Sequence, residues 1–286
     1  MSEIKDRTPA LFKFLSHDYA ETMFKGDVYI SDISDFRNTE KHKLTVGDAM
    51  EGITNYISCN EIKQIVVNDH YIYCTTTNFI SDSLFWAQKN NKECCVMITS
   101  PQDFFDEINR DSPDVEFCGS AICSYKPSKT FDFKLYHEVS TNHITRLNTC
   151  LFKELKYAPQ LEYRAIWKPK TTPEKNILLN SDISKHLIKI HYSKINEDEF
   201  KLGKHVTIKV FRHKGPPTIL QCGYPHKILT PSTFSIDSTR YLGFSFFSNR
   251  LSYINVESAD RGMHSVGNHH TIGINAIANI SHIEFE

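Results

Sequence analysis

Tyr157-Ala158-Pro159-Gln160-Leu161-Glu162-Tyr163-Arg164-Ala165-Ile166-Trp167 is the stretch whose reading decides the fold. A helical run ends at its start, Pro159 breaks the backbone, and a short apolar strand follows from Leu161. Residues two apart on a strand share a face. With the strand begun at Gln160, the side chains of Gln160, Glu162 and Arg164 line one face, and Leu161, Tyr163 and Ala165 pack behind. Three polar groups on a strand otherwise rich in Tyr, Ile and Trp read as the wall of a site.

Upstream of that strand, Thr141 to Tyr157 has the clearest helical spacing, carried by Ile144, Leu147, Leu151, Phe152 and Leu155. Downstream come a polar loop from Lys168 to Asn176, a short strand at Ile177-Leu178-Leu179 and a region around Ile183 to Ile195. Towards the N-terminus, Leu11-Phe12-Lys13-Phe14-Leu15 reads as a strand. Ser16 caps a helix with apolar positions Tyr19, Ala20, Met23 and Phe24, Gly26 ends it, and Val28 to Ser31 is a second strand. Asp32 to Gly52 is a long polar segment in which Arg37, Asp48 and Glu51 are candidates to line a pocket, the alternative being a solvated loop.

Two strands, Ile62–Val67 and His70–Thr77, are joined at Asn68-Asp69, and the second ends in Thr75-Thr76-Thr77. Asp82 to Ala87 is a short helix anchored by Trp86, Cys94 to Thr99 a buried strand, and Ser100-Pro101 opens a helix through Ile108. Phe117–Tyr125 and Phe131–Tyr136 are further strands. From about His205 the pattern changes to short alternating segments broken by Gly, Pro, Ser and Asn. The expected fold class is therefore α+β: a mixed or antiparallel sheet core with a few flanking helices, plus a β-rich C-terminal region. Residues 1–200 read as the core domain with the candidate site, and 201–286 as an extension or small domain.

At 286 residues, 40% hydrophobic and 23% charged, with a formal net charge of −1, the chain has ordinary globular composition. No basic block supports binding of duplex nucleic acid through phosphates. Met1 to Pro9 lacks the apolar core of a signal peptide, and no run approaches a membrane span, so a soluble, cytoplasmic protein without membrane contact is expected. The eight cysteines contain no Cys-x-x-Cys pair and read as buried free thiols, not zinc ligands. His264, His269 and His270 lack an acidic partner or helical spacing, so they read as a surface loop and no metal site is assigned.

Transfer of ADP-ribose from NAD needs a cation to hold the dinucleotide, a strand of hydroxyl or aromatic groups to brace the nicotinamide end, and a carboxylate to stabilise the oxocarbenium-like ribose. Gln160-x-Glu162, the hydroxyl run Thr75 to Thr77 and a basic residue on the first strand resemble the three motifs of toxin-type ADP-ribosyltransferases. That resemblance implies an ADP-ribosyltransferase-like fold, NAD as a substrate and a macromolecular acceptor, protein or nucleic acid. It makes Glu162 the catalytic glutamate, with Gln160 touching the acceptor and Arg164 keeping Glu162 ionised. Lys13 or Arg37 would hold the dinucleotide, with Thr75, Thr76, Thr77 and Trp86 beside it. Lys13 stands where those families carry His or Arg.

A second resemblance covers residues 10 to about 195. Leu-Phe-Lys-Phe, the Asp48-x-x-Glu51 loop, Leu84-Phe85-Trp86 and Lys153-x3-Tyr157-x4-Glu162-Tyr163-Arg164 are similar to an uncharacterised bacterial and phage family whose signature ends in Glu-x-Glu-Tyr-Arg. It implies a shared fold and pocket without an activity. Two other readings compete with the enzyme of a phage or bacterial conflict system. One is a non-catalytic interaction protein in which Glu162 and Arg164 form a buried pair fixing the core. The other is a metal-dependent nuclease using Asp48, Glu51 and Glu162.

Overall fold

Short apolar runs separated by turn residues form strands almost throughout. The computed structural model describes residues 10–38, 48–57, 62–77, 82–132, 143–171, 176–192, 206–212, 218–222, 242–247, 250–257, 269–273 and 280–285. In chain order come β1 (Leu11–Leu15), α1 (His17–Phe24), β2 (Asp27–Asp32), a 3-10 turn (Ile33–Arg37), β3 (Ile53–Ile57), β4 (Ile62–Val66) and β5 (Tyr71–Thr76). Next are α2 (Asp82–Lys89), β6 (Cys94–Ile98), α3 (Pro101–Asp111), β7 (Val115–Ile122), β8 (Ser124–Lys126) and β9 (Thr130–Asp132). Then follow α4 (His143–Leu151), β10 (Phe152–Glu154), a 3-10 turn (Leu155–Gln160), β11 (Glu162–Pro169), β12 (Asn176–Asn180), a 3-10 turn (Ser184–His186) and β13 (Leu187–Tyr192). The remaining strands are β14 (Val206–Arg212), β15 (Thr218–Cys222), β16 (Leu242–Phe247), β17 (Arg250–Glu257), β18 (His269–Gly273) and β19 (Ile280–Phe285). The architecture is α+β, with mainly antiparallel sheet and few helices.

The chain divides into two compact units. The first comprises Met1–Phe24, Ala87–Phe104 and Ile183–Glu286. In it β6 pairs antiparallel with β1 on one edge and β13 on the other. Every residue of β6 is buried, as its unbroken Cys-Cys-Val-Met-Ile run requires. Strand β19 joins β13 in parallel and is followed by β14 and β15, while β16, β17 and β18 form a separate antiparallel sheet. Helix α1 buries Ala20 and Met23, but Tyr19 faces solvent at 57% exposure. The first backbone N–H of α1, from His17, donates to the Glu93 carboxylate at 3.2 Å, placing an anion at the positive helix end.

The second unit comprises Lys25–Trp86 and Phe105–Asp182. Its main sheet has the antiparallel order β12-β2-β5-β11-β7. Beside this, β3 pairs antiparallel with β4 and parallel with β9, and β10 runs parallel to β8. Tyr163 and Trp167 of β11 pack on Phe105, stacked and edge-on respectively, with Phe117 of β7 against the same ring. The Trp167 indole donates to Asn109 Oδ1 at 2.7 Å. Ile166, on the opposite face, packs with Ile33, Tyr56, Ile65, Val67, Ile72 and Cys150. Strand β11 is thus buried on both sides.

Three local expectations need correction. The helix expected over 141–157 is α4 alone within the described residues, followed by extended β10 and the 3-10 turn. Leaving helical geometry at Phe152 lets Lys153 turn inward, where buried carboxylates attract it. The strands joined at Asn68-Asp69 belong to different sheets, and β3, which pairs with the first of them, was not anticipated. Residues 133–136 of the expected Phe131–Tyr136 strand and His264 lie outside the described residues, while His269 and His270 begin strand β18.

Gly26 bears out its reading as a helix terminator: its φ is +100°, and a Cβ there would stand 2.5 Å from the Ser181 carbonyl oxygen. The Gly26 carbonyl itself accepts from the Ser181 N–H at 2.9 Å. Gly26→Ala is expected to lower stability by at least the ~1–2 kcal/mol of a left-handed L-residue, measurable by urea denaturation. A loss within error would show that this backbone relaxes freely.

Candidate functional site

Leu161 decides how the site is built. It adopts a left-handed conformation, φ 47°, and its N–H closes the preceding turn on the Ala158 carbonyl at 3.1 Å. Gln160 is therefore the last residue of a turn and not, as the alternation suggested, the first of the strand. Glu162 and Arg164 do share a face, and the Arg164 Nε donates to Glu162 Oε1 at 2.6 Å. Gln160 reaches the same group by another route. The Lys153 ammonium donates to Glu162 Oε2 at 2.5 Å and to Gln160 Oε1 at 2.9 Å. Its Nζ also lies 4.8 Å from the centre of the Tyr157 ring, within cation–π range.

The other end of the Arg164 guanidinium holds Glu51. Nη1 and Nη2 donate to the two oxygens of Glu51 at 2.7 and 2.8 Å, a bidentate geometry, and Nη1 also donates to the Cys150 carbonyl at the end of α4. Three residues before Glu51, Asp48 accepts from the Lys129 ammonium at 2.6 Å, and that ammonium donates to the Met50 carbonyl at 2.7 Å. Asp48, Glu51, Lys129, Lys153 and Arg164 are each no more than 3% exposed, and Glu162 is 7% exposed. Three carboxylates thus face three cations in the interior of one unit.

Burial raises the Glu162 pKa, but Arg164 and Lys153 outweigh it and hold the carboxyl well below the usual range. Burial lowers the Lys153 pKa, and Glu162 reverses that, leaving it raised. The neighbouring thiols behave oppositely: burial pushes both Cys123 and Cys150 up to about 12 despite the nearby Arg164 charge. They are neutral thiols outside any disulfide. Among the described residues no group of three or more His, Cys, Asp or Glu could hold a metal ion. The carboxylates considered as nuclease ligands are already matched by cations.

Hydroxyls from β5 fasten the junction. The register sets Thr76 opposite Glu162 and Thr75 opposite Tyr163. Thr75, Thr76 and Thr77 Oγ1 donate to the carbonyls of Tyr163, Gln160 and Leu161 at 3.1, 2.7 and 3.2 Å. The Tyr125 hydroxyl accepts from the Glu162 N–H at 2.8 Å. Arg37, a candidate to hold a dinucleotide, instead donates to the carbonyls of Glu51 and Val67, both at 2.6 Å, and to Asn68 Oδ1 at 2.5 Å. Lys13 is half-buried in β1, in the other unit, and Trp86 is half-buried on α2.

The structure therefore brings together Glu162, Gln160, Arg164 and the hydroxyl strand, and adds Glu51, Lys153 and the Asp48–Lys129 pair. Asp48 and Glu51, read from the sequence as lining a pocket or lying in a solvated loop, are instead buried and paired with Lys129 and Arg164. Lys153 was obscured by its assignment to a helix face. Among the described residues no helix is long and apolar enough to cross a membrane. No family model, curated protein or solved structure matches this chain.

Proposed function

We propose that the chain is a non-catalytic interaction module whose buried charge network sets the shape of the unit that carries it. The observation that carries this reading is that each Glu162 carboxylate oxygen already accepts from a buried cation. Such a carboxylate is committed to the fold, and stabilising a ribose cation would require breaking a pair in the interior. Strand β4 supplies a surface for a partner protein: among the described residues it pairs only with β3, leaving its outer edge open. Its solvent face presents Ile62 and Val66, 71% and 37% exposed, beside Ile57 of β3 at 40%. An extended segment of a partner protein, added to that edge, would satisfy the open backbone groups.

A second reading, an ADP-ribosyltransferase-like enzyme using NAD, is favoured by one specific arrangement. Gln160 and Glu162 share a lysine beside the hydroxyl strand, and the carboxylate is ionised, as that chemistry demands.

Thermal melting with NAD or ADP-ribose up to millimolar concentration separates the readings. No shift is expected, whereas a site saturated a hundredfold would add about 2.7 kcal/mol. A rise in melting temperature, with NAD turnover that disappears in Glu162→Gln, would establish the enzyme instead. The partner surface is tested by affinity purification of the wild type beside Ile62→Lys/Val66→Lys. A partner retained by the variant would exclude the β4 edge.

A further inference from the structure

His70 opens a route from solution pH to the charge network. It is 1% exposed, with Nδ1 2.9 Å from Asp69 Oδ1 and a buried Nε2 that has no hydrogen-bond partner. Because Asp69 accepts at Nδ1, the ring carries its hydrogen there and Nε2 is a bare lone pair. Asp69 also accepts from Arg146 of α4. The charged groups facing the ring are Asp69 on its own turn, Arg146 from α4 and Lys168 from β11, and the Arg37 guanidinium holds the adjacent Asn68. Cations outnumber the one carboxylate there, which opposes a further positive charge.

The same turn is tied to the segment that carries Glu51. The His70 carbonyl accepts from the Ile33 N–H at 3.0 Å, and the Val67 N–H donates to the Gly52 carbonyl at 2.9 Å. Arg37 bridges the Val67 and Glu51 carbonyls. Loosening residues 67–70 therefore loosens the contacts that hold the Glu51 and Gly52 carbonyls.

We propose that the Val67–His70 turn is an acid-sensitive latch, whose opening on protonation of His70 frees the Glu51 segment from the buried network. The proton comes from water and binds the Nε2 lone pair, creating an interior N–H with no acceptor. Only hydration of the ring satisfies it, and hydration requires the turn to open. Burial lowers the His70 pKa and Asp69 opposes this, leaving it below its ordinary value of 6.5. The unfolded chain therefore takes up the proton first. Stability from neutral His70 is fully present above pH 6.5 and is lost as pH falls through the folded-state value.

The test is amide exchange of Ile33 and Val67 in the full chain, as protection factors from pH 7.5 to 5, in wild type and His70→Phe. A loss of at least tenfold is expected in wild type and a flat profile in the variant. A flat wild-type profile, or an equal loss in the variant, would overturn the latch. Should His70→Phe not fold, the imidazole is titrated by NMR in wild type. A midpoint below 6.5 that coincides with the loss of protection supports the latch, and one at or above 6.5, or separate from that loss, refutes it.

Discussion

Arg164→Met is expected to lower stability by about 3–5 kcal/mol, the usual cost of removing one partner from a buried ionic network. The guanidinium is 1% exposed and donates to both oxygens of Glu51, to Glu162 and to the Cys150 carbonyl. Methionine fills much of the space but supplies no donor. Glu51 loses both side-chain hydrogen bonds from Arg164, Glu162 keeps Lys153 but loses its second cation, and one carboxylate must protonate or drag water inside. A loss of this size is a large part of the roughly 5–15 kcal/mol available to a domain. Urea denaturation with unchanged slope is the measurement. A loss under about 1 kcal/mol would mean that the network is hydrated and contributes no more than a surface pair.

The size of that effect follows from convergence. Arg164 comes from a central strand, Glu51 from a turn that closes on β3, Cys150 from the end of a helix and Lys153 from the short strand after it. Glu51 lies 113 residues from Arg164 in sequence, so the network exists only once the second unit has folded. A core of this kind is costly to assemble and costly to break singly, and it ties β11, α4 and the 48–52 turn to one another. On the proposed reading, in which β4 meets a partner, a fixed β3–β4 frame is the useful product. Asp48 and Lys129 pin that frame where the 48–52 turn enters β3 and where β9 begins.

What the sequence made legible was local. Apolar runs located β1, β2, β6 and β11, Gly26 marked the end of α1, and the alternation around Glu162 and Arg164 placed them on one face. What stayed hidden was non-local or depended on a single backbone torsion. Leu161 in a left-handed conformation moves Gln160 off the strand, and nothing in a leucine announces that. Lys153 fits a helical face by spacing, but its position is set by carboxylates distant in sequence or beyond a turn. Thr75 to Thr77 read as groups that brace a ligand, whereas their register with β11 gives them backbone carbonyls to bond. Strand pairing is decided by the whole sheet, so residue type showed the capacity for hydrogen bonding without its direction.

Glu162→Gln and Lys153→Met, singly and together, ask whether the central carboxylate serves the fold or a reaction. Gln keeps the size of Glu162 and still accepts one hydrogen bond, but it removes the charge that Lys153 and Arg164 face at 2.5 and 2.6 Å. Each single change is expected to cost about 3 kcal/mol or more, because Glu162→Gln leaves the buried Lys153 facing no carboxylate and Lys153→Met takes one of two cations from Glu162. The double variant should cost less than the sum, by about 1–3 kcal/mol, since the two groups touch and share the lost interaction. A carboxylate maintained for catalysis predicts the opposite sign: functional groups are held against stability, so Glu162→Gln would be neutral or stabilising while turnover vanished. Denaturation of the four proteins distinguishes these outcomes without any substrate. The acid limb adds a second readout: the depressed Glu162 pKa means that its contribution is present above about pH 4.5 and is lost as pH falls through the folded-state value. Glu162→Gln should flatten that limb. Additive single effects with an unchanged acid limb would remove the structural role on which the interaction-module reading depends.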